Sequence, residues 1–105
     1  KPRAFVVSFG RSEEARDAAI RLVAELRAAG IKSEMSYGGR SGKAQMKQAD
    51  ASGATYALLL GEDELAGGFV TVKALQAGGM ETEKKQIQVK REDLVAFLQR
   101  KDGSV

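Results

Sequence analysis

"ATYALLLGEDELAGGFVTVKAL", residues 54–75, contains two segments with the composition of β-strands, joined by an acidic turn. Residues 54–60 are a nearly continuous apolar run, which is typical of a strand that is buried on both faces. Residues 69–75 are again rich in β-branched and apolar residues, and the glycines at 67 and 68 mark the turn before them. The pattern of the chain changes at this stretch, because strands alternate with helices before it and follow one another after it.

The preceding chain begins with "AFVVSF", residues 4–9, a second apolar run that predicts a covered strand. Ser12 is a suitable N-cap for the helix that follows, and Gly30 is a suitable C-terminal cap. "IKSEMSY", residues 31–37, has the mixed polarity of a strand at a sheet edge. The helix carries one apolar stripe, which consists of Ala15, Ala19, Leu22, Val23 and Leu26.

A second helix is predicted from about Ser41 to Ser52, where Gly53 stops it, with Met46 and Ala49 toward the core. Strand, helix, strand, helix, strand is the order of a parallel sheet with right-handed crossovers.

After residue 75, Gly78-Gly79 predicts a hairpin to a strand around residues 82–89, paired antiparallel with residues 69–75. A closing helix is predicted from about Arg91 to Lys101, with an inward face of Leu94, Val95, Phe97 and Leu98. The predicted fold class is therefore α/β. It has a five-stranded mixed sheet, made of three parallel strands plus an antiparallel hairpin, flanked by three helices.

Composition limits the chemistry that this chain can perform. Its 105 residues, 43% hydrophobic and 30% charged, predict a single domain spanning residues 1–105. It has neither cysteine nor histidine, which excludes thiol nucleophiles, disulfides, imidazole bases and most zinc sites. We therefore predict no catalytic residue and no metal site.

"GGRSGKAQMKQAD", residues 38–50, resembles a nucleotide-binding loop only superficially. A P-loop would need glycine where the chain has Tyr37 and a hydroxyl where it has Ala44. No nucleotide cofactor is predicted for this domain.

The net charge is +3 at pH 7, a mild basic bias that permits nucleic-acid binding. No stretch approaches the roughly 20 apolar residues of a membrane span, and no signal peptide is recognisable, so we expect a soluble, cytoplasmic protein without a membrane partner. The chain begins at Lys1 rather than methionine, and we expect it to be a fragment of a longer protein.

Ligands of open α/β sheets bind beyond the carboxyl ends of the parallel strands. At that edge the pattern brings together the basic segment of Arg40, Lys43 and Lys47 and the acidic turn at residues 62–64. A basic helix start attracts phosphate oxygens, whereas a carboxylate accepts hydrogen bonds from base amino groups and a lysine donates to base carbonyls. Glu64 and Lys73 could therefore face one nucleotide, with Tyr37 as the aromatic available for stacking.

Each of these residues also has a purely structural interpretation. The basic residues at 40, 43 and 47 could be a solvated helix face, and the acids at 62–64 could begin a short helix. Lys73 could be an ordinary solvent-facing strand residue, and Tyr37 could pack rather than stack. Sequence alone leaves both interpretations open.

Residues 38–75 resemble the C-terminal anticodon-binding domain of class II aminoacyl-tRNA synthetases, most closely the histidyl type. The specific motifs are "KAQMKQAD" followed by "GA", and "LGEDEL" followed by "G" and "VTVK". "EEARDAAIRLVAELRAAGI" and "REDLVAFLQR" extend the resemblance over nearly the whole chain. Gly42, where histidyl-type sequences often carry a large apolar residue, is a departure from the pattern.

The resemblance implies a domain that grips the anticodon loop of tRNA and does not itself aminoacylate. It implies that Glu64 and Lys73 read bases. From the residue pattern we add the hypothesis that Tyr37 also contacts bases and that Arg40, Ser41, Lys43 and Lys47 contact the RNA backbone. The parent enzyme would attach histidine to tRNA in a separate catalytic domain that uses ATP and Mg²⁺, and would be a homodimer. Three alternatives stay open: a synthetase-like regulatory subunit of histidine biosynthesis, the equivalent domain of a prolyl-, threonyl- or glycyl-tRNA synthetase, or a free-standing α/β enzyme or nucleotide binder.

Overall fold

The computed structural model describes residues 2–9, 13–36, 41–75 and 86–101. Its strands are β1 (Ala4–Ser8), β2 (Ser33–Met35), β3 (Tyr56–Leu60), β4 (Phe69–Ala74) and β5 (Gln86–Lys90). Its helices are α1 (Glu13–Ala28), α2 (Gly42–Ser52), α3 (Glu62–Gly67) and α4 (Leu94–Lys101), with a 3₁₀ turn at Arg91–Asp93.

The strands form one five-stranded sheet in the order β2-β1-β3-β4-β5. β1 lies parallel to both β2 and β3, whereas β4 is antiparallel to both β3 and β5. This arrangement confirms the predicted mixed sheet, with β2 at one edge. The predicted turn at Gly78-Gly79 and the predicted N-cap Ser12 lie outside the described residues.

One side of the sheet is covered by α1 and α4, and we call it the covered side. Its core contains Val6, Leu58 and Val70 from the sheet, packed against Leu22 and Leu98 of the helices. The predicted stripe of α1 is the set of residues that this helix buries, namely Ala15, Ala19, Leu22, Val23 and Leu26. Burial of these apolar side chains contributes hydrophobic stabilisation.

The opposite side, which we call the α2 side, has a smaller core. Here α2 contributes Ala49 and Met46, which pack with Phe5, Val7 and Ala57 of β1 and β3. Both helix residues were predicted to face inward, and both do.

The helix ends have the caps that the sequence predicts. Gly30 and Gly53 adopt left-handed backbone conformations with φ of 84° and 81°, which residues with a side chain rarely reach. Gly53 ends α2 by donating its N–H to the carbonyl of Asp50. No helix among the described residues is long and apolar enough to cross a membrane.

Two elements differ from the predicted set of three helices. The acids at residues 62–64 begin the short helix α3, which is the structural interpretation given for them above. Carboxylates are favourable at the positive end of a helix. The closing helix starts with a 3₁₀ turn, in which Arg91 also pairs with Glu25 of α1 at 2.7 Å. This ion pair joins the end of β5 to the covered side.

Candidate nucleic-acid interface

The basic segment begins at the N-terminus of α2. Ser41 is the N-cap, and its hydroxyl oxygen accepts a hydrogen bond of 3.1 Å from the N–H of Ala44. Lys43 and Lys47 follow one turn apart, and both are exposed. They form a cationic face on α2, whereas Arg40 and Tyr37 lie outside the described residues.

A buried amide holds α2 against the end of β1. The Gln45 side chain accepts a hydrogen bond from the Ser8 N–H and donates one to the Ser8 carbonyl, both at 2.9 Å. β2 pairs with β1 only as far as Val6, so among the described residues no strand pairs with Ser8 on that side. Gln45 thereby supplies the pairing that β2 does not reach.

Phe9 links the basic segment to the acidic turn at the carboxyl edge of the parallel strands. Its side chain is partly buried, and a Cβ added to Gly42 would overlap its ring. A Cβ added to Gly61 would lie 3.2 Å from the Cβ of Phe9. The two segments therefore contact the same aromatic residue. The absence of a side chain at position 42, noted above as a departure, leaves room for this ring.

Glu64 has hydrogen bonds at both carboxylate oxygens. Oε1 accepts from the N–H of Gly61 at 2.9 Å, which caps α3, and Oε2 accepts from the hydroxyl of Thr71 at 3.0 Å. The side chain is only partly buried, so each oxygen can still accept a further hydrogen bond. The carboxylate is thus fixed in position above β4.

Lys73 projects from the same side of the sheet as the Glu64 carboxylate. Thr71 and Lys73 are two residues apart on β4, so their side chains leave the same face. They pair across the sheet with Leu59 and Ala57, and both of these belong to the α2-side core. Lys73 is half-buried. The described site residues on α2, α3 and β4 therefore all belong to one side of the sheet.

Three residues near this site were not singled out by the sequence patterns. Gln45 was missed because a polar residue inside a basic helix is expected to be exposed, whereas here it is only 4% exposed. Thr71 is 9% exposed and was assigned only to strand alternation, although its hydroxyl holds Glu64. Phe9 ends an apolar run, and its position at the carboxyl edge depends on tertiary packing.

The arrangement offers hydrogen-bonding groups and charge. Within residues 2–9, 13–36, 41–75 and 86–101, no group of three carboxylates or other metal-binding side chains is close enough to hold a metal ion. A cationic helix face beside a fixed carboxylate and a lysine suits phosphates and base edges of single-stranded nucleic acid.

Comparison with known proteins assigns the fold to a family. The sequence model of the anticodon binding domain matches residues 3–101. The chain belongs to this family. The parallel and antiparallel pairing described above is the architecture of its structural neighbours.

Within the family, the chain is of the histidyl-tRNA synthetase type. It is 52% identical over 67 residues to the histidine–tRNA ligase of Rubrobacter xylanophilus, covering 64% of this chain and 16% of the relative. It is 40% identical over 99 residues to the Streptomyces coelicolor enzyme, covering 94% of this chain and 21% of the relative. The chain thus spans about a sixth to a fifth of the length of these relatives.

Solved structures agree with the sequence comparison. Apo S. aureus histidyl-tRNA synthetase superposes with a TM-score of 0.79 at 31% identity, covering 93% of this chain and 23% of the other. The RNA binding domain of Cryptosporidium parvum threonyl-tRNA synthetase has a TM-score of 0.78 at 19% identity, covering 94% and 23% respectively. The match to the threonyl-tRNA synthetase domain shows that the two proteins share a fold.

Proposed function

We propose that this domain binds the anticodon loop of tRNA and reads its bases with Glu64 and Lys73. The observation that carries the residue assignment is the hydrogen bond from Thr71 to Glu64, because it holds the carboxylate on the side of the sheet from which Lys73 projects. The carboxylate would accept from amino or imino groups of a base, and the lysine would donate to a carbonyl or to N7. Membership of the anticodon-binding family supports RNA as the ligand.

Contacts to the RNA backbone are assigned to the start of α2. Lys43 and Lys47 are exposed cations, and we include Arg40 beside them. The Ser41 oxygen accepts a hydrogen bond from the backbone, so its hydroxyl hydrogen is free to donate to a phosphate. These contacts would orient the RNA without discriminating between bases. Tyr37 is the proposed stacking residue.

The proposed parent is a cytoplasmic, homodimeric histidine–tRNA ligase in which this domain is covalently joined to a catalytic domain. That domain would bind ATP and Mg²⁺ and carry out aminoacylation, whereas this chain would only bind RNA. The histidine–tRNA ligase relatives support this parent over the prolyl, threonyl or glycyl enzymes. The regulatory subunit of histidine biosynthesis is not favoured, since the relatives reported above are ligases.

The test is binding of the unchanged chain and of Lys43→Glu to an RNA hairpin that carries the histidine anticodon. If about three phosphates are neutralised, the slope of log K against log salt should be roughly −2 for the unchanged chain. Lys43→Glu should weaken binding more than tenfold at about 0.1 M salt, because it removes one phosphate contact and adds a repulsive charge. Fluorescence anisotropy measures both quantities.

Lys32→Glu is the matched control. Lys32 is also exposed, but it precedes β2 at the opposite end of the parallel strands. Its charge reversal should change affinity far less than that at Lys43. Equal losses in the two variants would indicate general charge attraction and would contradict the proposed interface, as would a lack of binding by the unchanged chain.

A further inference from the structure

The α2 side of the sheet continues past the proposed site as a polar surface on β4 and β5. The antiparallel register pairs Thr71 with Gln88 and Lys73 with Gln86, and it pairs Phe69 with Lys90. Directly paired residues share a face, so the β5 side chains extend the face on which Glu64 and Lys73 lie. We call the set of Thr71, Lys73, Gln86, Gln88 and Lys90 the open face.

Gln86, Gln88 and Lys90 are exposed, unlike the strand residues beneath α2. α2 packs mainly against β1, and α3 packs against β3 and the first part of β4. Glu64 of α3 accepts a hydrogen bond from Thr71, and a Cβ added to Gly67 of α3 would overlap the ring of Phe69, so α3 contacts this side of the sheet at the first half of β4. Among the described residues, α4 packs on β5 from the covered side.

The open face presents cations and uncharged hydrogen-bonding groups. Its side chains are two lysines, two glutamine amides and a threonine, and the acid at its border is Glu64, which Thr71 already holds. The exposed surface of α1 instead alternates both signs of charge, with Glu13, Glu14, Asp17 and Glu25 among arginines. Cations and amides complement phosphates and base edges.

We infer that the open face is an additional RNA-contacting surface, which binds nucleotides of the same anticodon loop beyond those read by Glu64 and Lys73. This inference rests on the proposed function. The amides of Gln86 and Gln88 donate to and accept from base edges, a pairing suited to adenine, and Lys90 contacts a phosphate. β5 lies beyond β4 in the sheet, so these side chains extend the site away from β3, over a strand length of about 13 Å from Gln86 to Lys90.

A different physical role would also place a lysine on β5. This strand is the last in the sheet, and charged residues on edge strands prevent pairing with other chains. That role predicts no effect of Lys90 on RNA affinity. The two roles are therefore distinguished by one measurement.

The experiment compares Lys90→Gln and Gln88→Ala with the unchanged chain in binding to the RNA hairpin that carries the histidine anticodon. Lys90→Gln should weaken binding about fivefold at about 0.1 M salt and reduce the steepness of the salt dependence by about 0.7, as expected for one lost phosphate contact. Gln88→Ala should weaken binding about threefold to tenfold without changing the salt slope, because it removes uncharged hydrogen bonds.

Lys32→Gln and Gln99→Ala are the matched controls, since both residues are exposed and lie away from the open face. Lys32 immediately precedes β2, and Gln99 lies on α4. Both should bind like the unchanged chain, and far-ultraviolet circular dichroism should verify that every variant is folded. Normal affinity of Lys90→Gln and Gln88→Ala, together with binding by the unchanged chain, would overturn this inference alone. Failure of the unchanged chain to bind would overturn it together with the proposed function.

Discussion

The two sides of the sheet differ in what their strands present. On the covered side, apolar residues from β1, β3, β4 and β5 are sealed beneath α1 and α4, and Val6, Leu58 and Val70 are 0% exposed. On the α2 side the apolar core is smaller and centred on β1 and β3, and after Phe69 the side chains of β4 and β5 on this side are polar. The same strands therefore stabilise the fold through the apolar side chains of one face and present polar side chains on the other.

The difference follows from strand geometry. Successive side chains of a strand point to opposite faces, so "VTVK" places Val70 and Val72 on the covered side and Thr71 and Lys73 on the other. A mutation should therefore act on folding or on RNA binding according to its face. The predictions below are ordered by the size of the expected effect.

The largest effect is expected at the covered side. Leu22→Ala should lower the free energy of unfolding by about 2 to 5 kcal/mol, because Leu22 is 0% exposed and truncation leaves a cavity. Urea denaturation followed by circular dichroism measures the loss. Ile20→Ala is the control on the same helix, where a 46% exposed side chain should change stability by less than about 0.5 kcal/mol.

Gln45→Leu should be the costliest polar substitution on the α2 side. It removes both hydrogen bonds to the Ser8 backbone, and we expect a loss of about 2 kcal/mol in the free energy of unfolding. Gln48→Leu places the same change at an exposed position of α2 and should be nearly neutral. Similar stabilities of the two variants would contradict a role for Gln45 in holding α2 to β1.

Glu64→Gln should separate binding from folding. The amide oxygen can still accept from the Gly61 N–H, so stability should fall by less than about 1 kcal/mol. Affinity for the cognate anticodon hairpin should fall about tenfold, or ~1.4 kcal/mol, with little change for hairpins carrying other anticodons. Glu62→Gln, an exposed change in α3, is the control. A uniform loss across all anticodons would argue against base reading.

The smallest effect is expected for the ion pair between Arg91 and Glu25. The side chains are 32% and 52% exposed, so a double-mutant cycle with alanine should give a coupling of about 0.2 to 1 kcal/mol despite the 2.7 Å contact. The coupling should shrink as salt is raised. A larger, salt-independent coupling would show that this contact contributes more to the covered side than its exposure indicates.

Much of the fold could be predicted because local patterns and tertiary packing agree. The apolar stripe of α1, the glycine caps at 30 and 53, and the edge position of β2 all depend on periodicity or backbone conformation, which the sequence displays directly. The boundaries were less predictable. The strand predicted over residues 31–37 is β2, Ser33–Met35, because pairing with β1 rather than composition decides where a strand ends.

The candidate site could be predicted only in part. Charge spacing indicated the cationic face of α2, and the family resemblance indicated Glu64 and Lys73. Neither indicated that Thr71 fixes the Glu64 carboxylate or that Gln45 pairs with Ser8, 37 residues away in the chain. Such contacts join residues from different elements, and no local pattern records them.

The sequence by itself determined the class of the fold, the succession of its strands with α1, α2 and α4, and the family to which the chain belongs. Periodicity and capping are local properties, and the family motifs are continuous stretches of residues. Tertiary structure alone decided which side chains share a surface. It brought Phe9 against both Gly42 and Gly61 and left Gln86, Gln88 and Lys90 of β5 exposed, because the order and register of strands are set by packing across the whole sheet.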